Sequence, residues 1–251
     1  MSLSGIIRQT EKRVARLPDT FQADGPGRHA SLVDAIQDRR GRNAVIAEIK
    51  CASPSRGIIR RNVDMAMMAG VLARSGCIGV SVLTEPYFFG GTLQDITHVK
   101  SAVDIPVLRK DFIIDKRQIA ETRALGADAV LLIAAVLGER LPDFVDTAID
   151  AGLEPLVEVH NPEEVKCALA TRAKLVGINN RDLVTFSIDR STTRLLSAPV
   201  RQAGRTIVSE SGMRSADDVR ELRSYCDAFL IGSAIMADPE PGKRLEEFVC
   251  A

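Results

Sequence analysis

A unit of strand, loop and helix recurs from residue 44 to the end of the chain, and this recurrence constrains the fold more than any other feature. Each unit starts with a short, nearly apolar stretch of strand length, and this stretch ends in polar residues before the loop and the helix. Apolar strands are typical of parallel sheets that helices cover on both faces. Eight such units with right-handed crossovers predict an α/β protein built as a closed (β/α)8, or TIM, barrel. The predicted strands are residues 44–50, 78–83, 106–110, 129–133, 154–159, 175–179, 206–210 and 228–232.

Helices are predicted between these strands, and their ends carry recognisable signals. Gly76, Gly126 and Gly152 each follow a predicted helix, where a left-handed cap favours glycine. An open doubly wound sheet is the alternative architecture, but no G-x-G-x-x-G motif follows the first strand. The predicted helices lie near residues 64–75, 93–102, 116–125, 139–150, 162–170, 189–196, 215–224 and 239–249.

The first 43 residues do not follow the repeat. Residues 3–17 show the apolar spacing of an amphipathic helix, residues 22–29 are a loop rich in polar residues, and residues 31–40 indicate a second short helix. We therefore expect one domain, residues 1–251, in which an extra N-terminal helical segment (1–43) precedes the barrel (44–251).

The overall composition excludes several classes of function. Lys plus Arg and Asp plus Glu both number 33, so the chain has no general basic surface for nucleic acid or for an anionic membrane. Five cysteines without a C-x-x-C pair and three dispersed histidines predict neither a disulfide framework nor a metal site. The longest apolar run, residues 129–137, is too short to span a bilayer. We expect a soluble, cytoplasmic, monomeric protein, with weak self-association as the alternative.

Four charged residues interrupt apolar strands near their carboxyl ends, which is where barrel enzymes hold their active sites. Glu48 and Lys50 are two residues apart and share a face, while Lys110 ends the third strand and Glu158 is the next-to-last residue of the fifth. Burying such charges is costly unless they are paired or have a function. The sequence therefore predicts a site in which these four side chains meet, with a purely structural ion network as the alternative.

Small residues after the last two strands indicate a phosphate site. Ser211-Gly212 and Gly232-Ser233 expose backbone N–H groups in the loops where barrels often bind phosphate. Three apolar residues near strand ends, Phe89, Phe112 and Leu131, could line a flat substrate, although ordinary packing is the alternative for each. His160, just after the fifth strand, could titrate or could cap the following helix.

Ordered motifs from residue 44 onward resemble the indole-3-glycerol-phosphate synthase family. They are Ile46-Ala-Glu-Ile-Lys50 with Ser53-Pro-Ser55, Ser81-Val-Leu-Thr84 with Phe89-Gly-Gly91, Pro106-Val-Leu-Arg-Lys-Asp-Phe-Ile-Ile114, Leu156-Val-Glu-Val-His160, Gly177-Ile-Asn-Asn-Arg181, Ser209-Glu-Ser-Gly212 and Phe229-Leu-Ile-Gly-Ser233. The resemblance implies ring closure, decarboxylation and dehydration of a phosphorylated substrate in tryptophan biosynthesis, with no cofactor. Cys51 and Met65 depart from the family pattern, in the lid region rather than among the catalytic residues.

The resemblance also implies residue roles. Lys110 would be a general acid, Glu158 a general base, and Glu48 a carboxylate that orients the lysines; Lys50 would hold an anionic group or serve as a second acid. Substrate contacts would come from Asn179, Arg181, Glu210 and Ser211, an aromatic pocket from Phe89, Phe112 and Leu131, and a phosphate grip from Ser53, Gly212, Gly232 and Ser233. Alternatives are a Schiff-base aldolase, a phosphoribosyl isomerase and a non-enzymatic scaffold.

Overall fold

The structure is a computed structural model, and it describes residues 2–21, 30–38, 41–53 and 57–251. Eight parallel strands close into a barrel in the order β1, β4, β5, β6, β7, β8, β9, β10 and back to β1, while β2 and β3 form a small antiparallel pair. The strands are β1 Ala44–Ile49, β2 Ala52–Ser53, β3 Gly57–Ile58, β4 Gly79–Leu83, β5 Val107–Lys110, β6 Ala129–Ile133, β7 Glu154–Val159, β8 Leu175–Asn179, β9 Thr206–Glu210 and β10 Ala228–Ile231. The predicted barrel and its strands are confirmed to within one residue at each end.

Helices lie between the strands, as the sequence predicts. They are α1 Leu3–Val14, α2 Leu32–Gln37, α3 Met65–Arg74, α4 Gln94–Ala102, α5 Lys116–Ala124, α6 Ala134–Leu137, α7 Leu141–Asp150, α8 Pro162–Leu169, α9 Ser191–Gln202, α10 Ala216–Leu222, α11 Ser233–Met236 and α12 Pro241–Val249. The short helices α6 and α11 and the β2–β3 pair were not predicted. The predicted end of α9 at residue 196 is too early, because Pro199 lies inside the helix and Val200 still packs in the core.

Side chains alternate between two apolar layers along each barrel strand. Val45, Val80 and Val130 pack outward against the helices, whereas Ile46, Leu108 and Leu131 pack inside the barrel. Leu156 and Leu230 also belong to the inner layer, so Glu158 and Gly232, two residues further along, face inward as well. This alternation positions the charged residues at the barrel's carboxyl end.

The N-terminal helical segment covers both ends of the barrel. Leu32 and Ile36 of α2 belong to one apolar cluster with the first residues of four strands, which are Ala44, Ala129, Leu175 and Ala228. Helix α2 therefore closes the amino-terminal end of the barrel. The first residue of β7, Glu154, accepts hydrogen bonds from the Leu32 N–H and the Ser31 hydroxyl, both at 2.6 Å.

Helix α1 lies at the opposite end. Arg13 donates to Asp111, the residue directly after β5, over 2.7 Å, and Ile6 packs in the same inner cluster as Phe112. Within the described residues, no helix has the length and apolar character needed to cross a membrane.

Candidate active site

A cavity of about 530 Å³ opens at the carboxyl ends of the barrel strands. Its wall contains residues from α1 and from the loops after most of the strands. Of the residues singled out from the sequence, the cavity is lined by Glu48, Lys50, Phe89, Lys110, Phe112, Leu131, Glu158, Asn179, Arg181, Glu210, Ser211, Gly212, Gly232 and Ser233. The expected convergence of charged, apolar and small residues in one cavity is therefore found.

The remaining predicted contact, Ser53, is described only in part. Its backbone ends β2, while its side chain and residues 54–56, which include Arg56, lie outside the described structure. Of the nearby arginines, Arg60 donates through Nε to the Met236 carbonyl over 3.1 Å, which ties this loop to the end of α11.

Lys110 is the central cation of the cavity. Its Nζ lies 2.6 Å from Glu210 Oε2 and 3.2 Å from Glu158 Oε2. β5 and β9 lie half-way around the barrel from each other, so Lys110 reaches across the interior to Glu210. The sequence pointed to Glu158 as a partner, but Glu210 was assigned only to substrate contacts, and its pairing with Lys110 was missed.

Glu48 and Lys50 form a second ion pair, with 2.5 Å between Oε1 and Nζ. Glu48 is 3% exposed and lies against Gly232, where a Cβ atom would meet its carboxylate. Gly232 is thus needed for a close approach, in addition to starting the loop before α11.

The two carboxylates beside Lys110 differ in their protonation. Burial raises the pKa of Glu210 to about 7; Lys110 opposes this shift, and Glu158 adds to it. Burial would also raise the pKa of Glu158, but the Lys110 charge, together with His160 and Asn179, outweighs burial and holds that pKa below its usual range. Near neutral pH, Glu158 therefore stays ionised while Glu210 can gain or lose a proton.

Lys110 remains an ammonium. Burial disfavours its charged form, but Glu210, Glu158 and Glu48 together outweigh burial and raise the pKa of Lys110 above its ordinary value. An ammonium held in a partly dry cavity is a strong hydrogen-bond donor toward an oxygen that gains negative charge.

An apolar wall lies beside these charges. The rings of Phe89 and Phe112 are tilted by 36° with centroids 6.4 Å apart, and Leu131 is buried in the inner layer. Leu3 and Ile6 of α1 also line this cavity. The sequence showed α1 as amphipathic but did not place its apolar residues here, since nothing local indicates which end of the barrel a helix covers.

The loop after β9 has an unusual backbone. Ser211 and Gly212 have φ values of 64° and 94°, both in the left-handed region that a serine rarely adopts. A Cβ at Gly212 would also meet Ile188 and Arg190. Together with Gly232 and Ser233 at the start of α11, this loop contributes small residues to the cavity wall.

Some cavity residues were not identified from the sequence. The loop after β8 contributes Leu183, Phe186, Ser187 and Ile188, and Arg214 follows the loop after β9. The loop folds back on itself through an Arg181–Ile188 bridge and an Arg181 hydrogen bond to the Phe186 carbonyl. A loop without apolar periodicity gives no indication in the sequence of which of its side chains face the cavity.

Among the described residues, no group of His, Cys, Asp and Glu side chains could hold a metal ion.

Comparisons with known proteins show what this chain is similar to. The family model described as "Indole-3-glycerol phosphate synthase" matches residues 4–248. Proteins described as indole-3-glycerol phosphate synthase are 47% identical over 87% of this chain and 84% of the relative in Bordetella pertussis, and 44% identical over 84% and 80% in Carboxydothermus hydrogenoformans. A third, from Arthrobacter sp., is 42% identical over 95% of this chain and 88% of the relative.

Among solved structures, two crystal structures of tryptophan synthase from M. tuberculosis superpose on the barrel. The ligand-free form, which carries a substitution in TrpA, has a TM-score of 0.65, and the form with aminoacrylate and BRD0059 bound has a TM-score of 0.66. Each is 14% identical and covers 88% of this chain and 98% of the other. At this identity the similarity concerns the fold alone.

Proposed function

We propose roles for the individual side chains on one premise, which is that this chain belongs to the indole-3-glycerol phosphate synthase family and catalyses that family's reaction in tryptophan biosynthesis. The substrate in this proposal is 1-(2-carboxyphenylamino)-1-deoxyribulose 5-phosphate, which combines a carboxylated aromatic ring, an open-chain ketone and a phosphate. In this proposal the apolar wall of the cavity receives the aromatic ring, the paired charges lie at the ketone, and the loops of small residues bind the phosphate.

Lys110 acts first, as general acid. The ring carbon that bears the carboxylate attacks the ketone carbon, and the Lys110 ammonium donates a proton to the ketone oxygen as the bond forms. Glu210 and Glu158, at 2.6 and 3.2 Å, keep the ammonium charged and aimed into the cavity. The proposal rests on the contacts of the inward-facing Lys110 with the buried carboxylates of Glu210 and Glu158.

Decarboxylation follows. Loss of carbon dioxide from the ring carbon that made the attack restores the aromatic ring, because the electron pair of the broken bond returns to the conjugated system. Phe89, Phe112 and Leu131 form the pocket for the anthranilate part in this proposal. Their apolar side chains favour the departure of a neutral molecule over retention of a charged carboxylate.

Dehydration completes the sequence. The former ketone oxygen, now a hydroxyl, leaves as water after it accepts a proton, while Glu158 removes a proton from the neighbouring carbon. Lys50 holds an anionic group of the substrate and supplies the proton to the leaving hydroxyl, and Glu48 orients Lys50 through their 2.5 Å ion pair. Glu158 suits the role of base because it is ionised.

The other cavity residues bind the substrate. In this proposal Asn179, Arg181, Glu210 and Ser211 contact the sugar hydroxyls and the ring nitrogen's surroundings. The phosphate is held by Ser53 and by the N–H groups near Gly212, Gly232 and Ser233. The proposal treats residues 1–43 and 44–251 as one unit, since α1 lines the same cavity. It also includes a monomeric, cytoplasmic protein, which size-exclusion chromatography and cell fractionation would test.

The assignment can be tested by fluorescence, because the chain contains no tryptophan and an indole product will stand out. We expect Lys110→Met and Glu158→Gln each to lower turnover by about a hundredfold or more, the usual scale for acid–base groups. Matched controls are Lys116→Met and Glu163→Gln, which alter exposed residues of the same type. Near-normal turnover in either cavity variant would contradict the role given to that residue.

A further inference from the structure

His160 occupies a place that the proposed chemistry does not use. It follows β7 directly, and its side chain is only 10% exposed. Its ring Nδ1 lies 3.0 Å from Glu164 Oε2, and its Nε2 lies 3.3 Å from Glu158 Oε1. The imidazole therefore stands between a carboxylate at the start of α8 and the carboxylate assigned as general base.

Glu164 is itself held firmly. Its Oε2 accepts from the His160 backbone N–H over 2.8 Å, and its Oε1 accepts from the Asn161 side-chain amide over 2.6 Å. Asn161 in turn accepts from the Glu164 N–H over 2.9 Å and provides the N-cap of α8. Because Asn161 already caps the helix, capping does not explain the position of the His160 ring.

The arrangement forms a row of alternating charges that runs into the cavity. The row is Glu164, His160, Glu158, Lys110 and Glu210, with each neighbouring pair between 2.6 and 3.3 Å apart. Burial disfavours a charged imidazole, but Glu158 and Glu164 outweigh burial and raise the pKa of His160 to about 10. The pKa of Asp182, in the loop after β8, is lowered mainly by hydrogen bonds from Thr185 and Val184, and the charge of His160 adds to this shift.

Glu158 needs such a partner for a geometric reason. Lys110 contacts Glu158 through Oε2, so the second oxygen, Oε1, is the one that His160 faces. The His160 imidazole attracts Oε1 over 3.3 Å, and together with Lys110 and Asn179 it restricts rotation of the carboxylate away from the substrate.

We propose that His160, anchored by Glu164, is a positioning residue that fixes the Glu158 carboxylate for proton abstraction. This inference rests on the role proposed above for Glu158. His160 does not touch the reacting atoms; it acts through the orientation of Glu158.

The test compares two changes that remove this support with two matched surface changes. His160→Gln keeps a hydrogen-bonding amide but cannot carry a charge, and Glu164→Gln weakens the anchor while Asn161 still caps α8. The controls are His98→Gln on the exposed face of α4 and Glu163→Gln beside Glu164. Turnover and KM are measured by indole fluorescence, and folding is followed by thermal melting.

We expect His160→Gln to lower kcat by about ten- to a hundredfold, the scale that loss of catalytic alignment produces, with KM changed less than about threefold. Glu164→Gln should lower kcat by a smaller factor, about three- to tenfold, because the ring itself remains. Both control variants should match wild type.

A double-mutant cycle separates positioning from general damage. If His160 acts only through Glu158, His160→Gln should lower the residual turnover of Glu158→Gln by less than about twofold. Wild-type kcat in folded His160→Gln, or an undiminished effect of this change in the Glu158→Gln background, would overturn the inference. If His160→Gln does not fold, wild-type kcat in Glu164→Gln overturns it instead. Failure of the proposed function would be distinguishable, because the wild-type protein would then form no fluorescent indole product.

Discussion

At the scale of single residues, two glycines beside carboxylates determine how closely the charged groups can approach their neighbours. Gly177 of β8 lies against Glu210, and Gly232 lies against Glu48. In each case a Cβ atom would occupy the place of a carboxylate oxygen. Neither glycine has a positive φ, so the requirement comes from space and not from backbone conformation.

Replacement of Gly177 tests this requirement directly. We expect Gly177→Ala to push Glu210 away from Lys110 and to lower kcat by about tenfold, because the ion pair across the barrel is displaced. Gly70→Ala in α3 is the control; only the flexible end of Arg74 lies near its added methyl group. That control should keep wild-type kcat and gain up to about 1 kcal/mol of stability from helix propensity. Unchanged kcat in Gly177→Ala would show that Glu210 has room to adjust.

At the scale of strands and helices, a buried ionic network joins the elements whose residues form the cavity. Arg109 on the outer face of β5 is fully buried and pairs with Asp111 at 3.0 Å and Glu121 at 2.9 Å. Asp111 also accepts from Arg13 of α1, so the helix over the cavity is attached to the strand that ends in Lys110. Burial would raise the pKa of Asp111, but Arg109 and Arg13 hold it below its usual value.

Removal of the Arg13 charge should loosen α1 without breaking the barrel. We expect Arg13→Gln to lower the free energy of unfolding by about 1.5–3 kcal/mol, the range for a hydrogen bond to a charged group. KM should rise more than kcat falls, because Leu3 and Ile6 of α1 line the cavity. Denaturant unfolding and steady-state kinetics provide the two measurements. Arg16→Gln, at an exposed position of the same segment, should change neither quantity, and an equal rise of KM in both variants would contradict the role of the ion pair.

The two ends of the barrel have different tasks at the scale of the whole molecule. The carboxyl end holds the cavity and α1, while the amino end is closed by α2 and holds no residue proposed for the reaction. Leu32 of α2 is fully buried and packs against Gly79 of β4. Stability and chemistry should therefore respond separately to changes at the two ends.

A core substitution at the closed end tests this separation. We expect Leu32→Ala to lower the free energy of unfolding by about 2–5 kcal/mol, as is usual when a buried leucine leaves a cavity. At a temperature where the variant is folded, kcat and KM should equal those of wild type. Leu195→Ala, at a leucine that is 74% exposed, should cost less than about 0.5 kcal/mol. A large loss of kcat in folded Leu32→Ala would show that the two ends are coupled.

The sequence by itself determined the barrel, its strands and the inward direction of Glu48, Lys110 and Glu158. Side-chain direction alternates along a strand because of backbone geometry, so Lys110 shares the inner face with Leu108, and Glu158 shares it with Leu156. A charge alone does not identify that face, since Arg109, beside Lys110 in β5, points outward. Similar local rules identified Gly76, Gly126 and Gly152, which have positive φ just after α3, α5 and α7. Residue roles came from the family resemblance, and they stay proposals.

Only the tertiary structure decided which of these groups touch. Lys110 and Glu210 are 100 residues apart in sequence and meet because the closed sheet brings β5 and β9 to opposite sides of one interior. The same closure separates α1 and α2 to the two ends of the barrel. It also places His160 between Glu158 and Glu164, and neither of the two interpretations of this histidine from the sequence included these contacts. Contacts across a barrel depend on strand order and register, and no local periodicity records them.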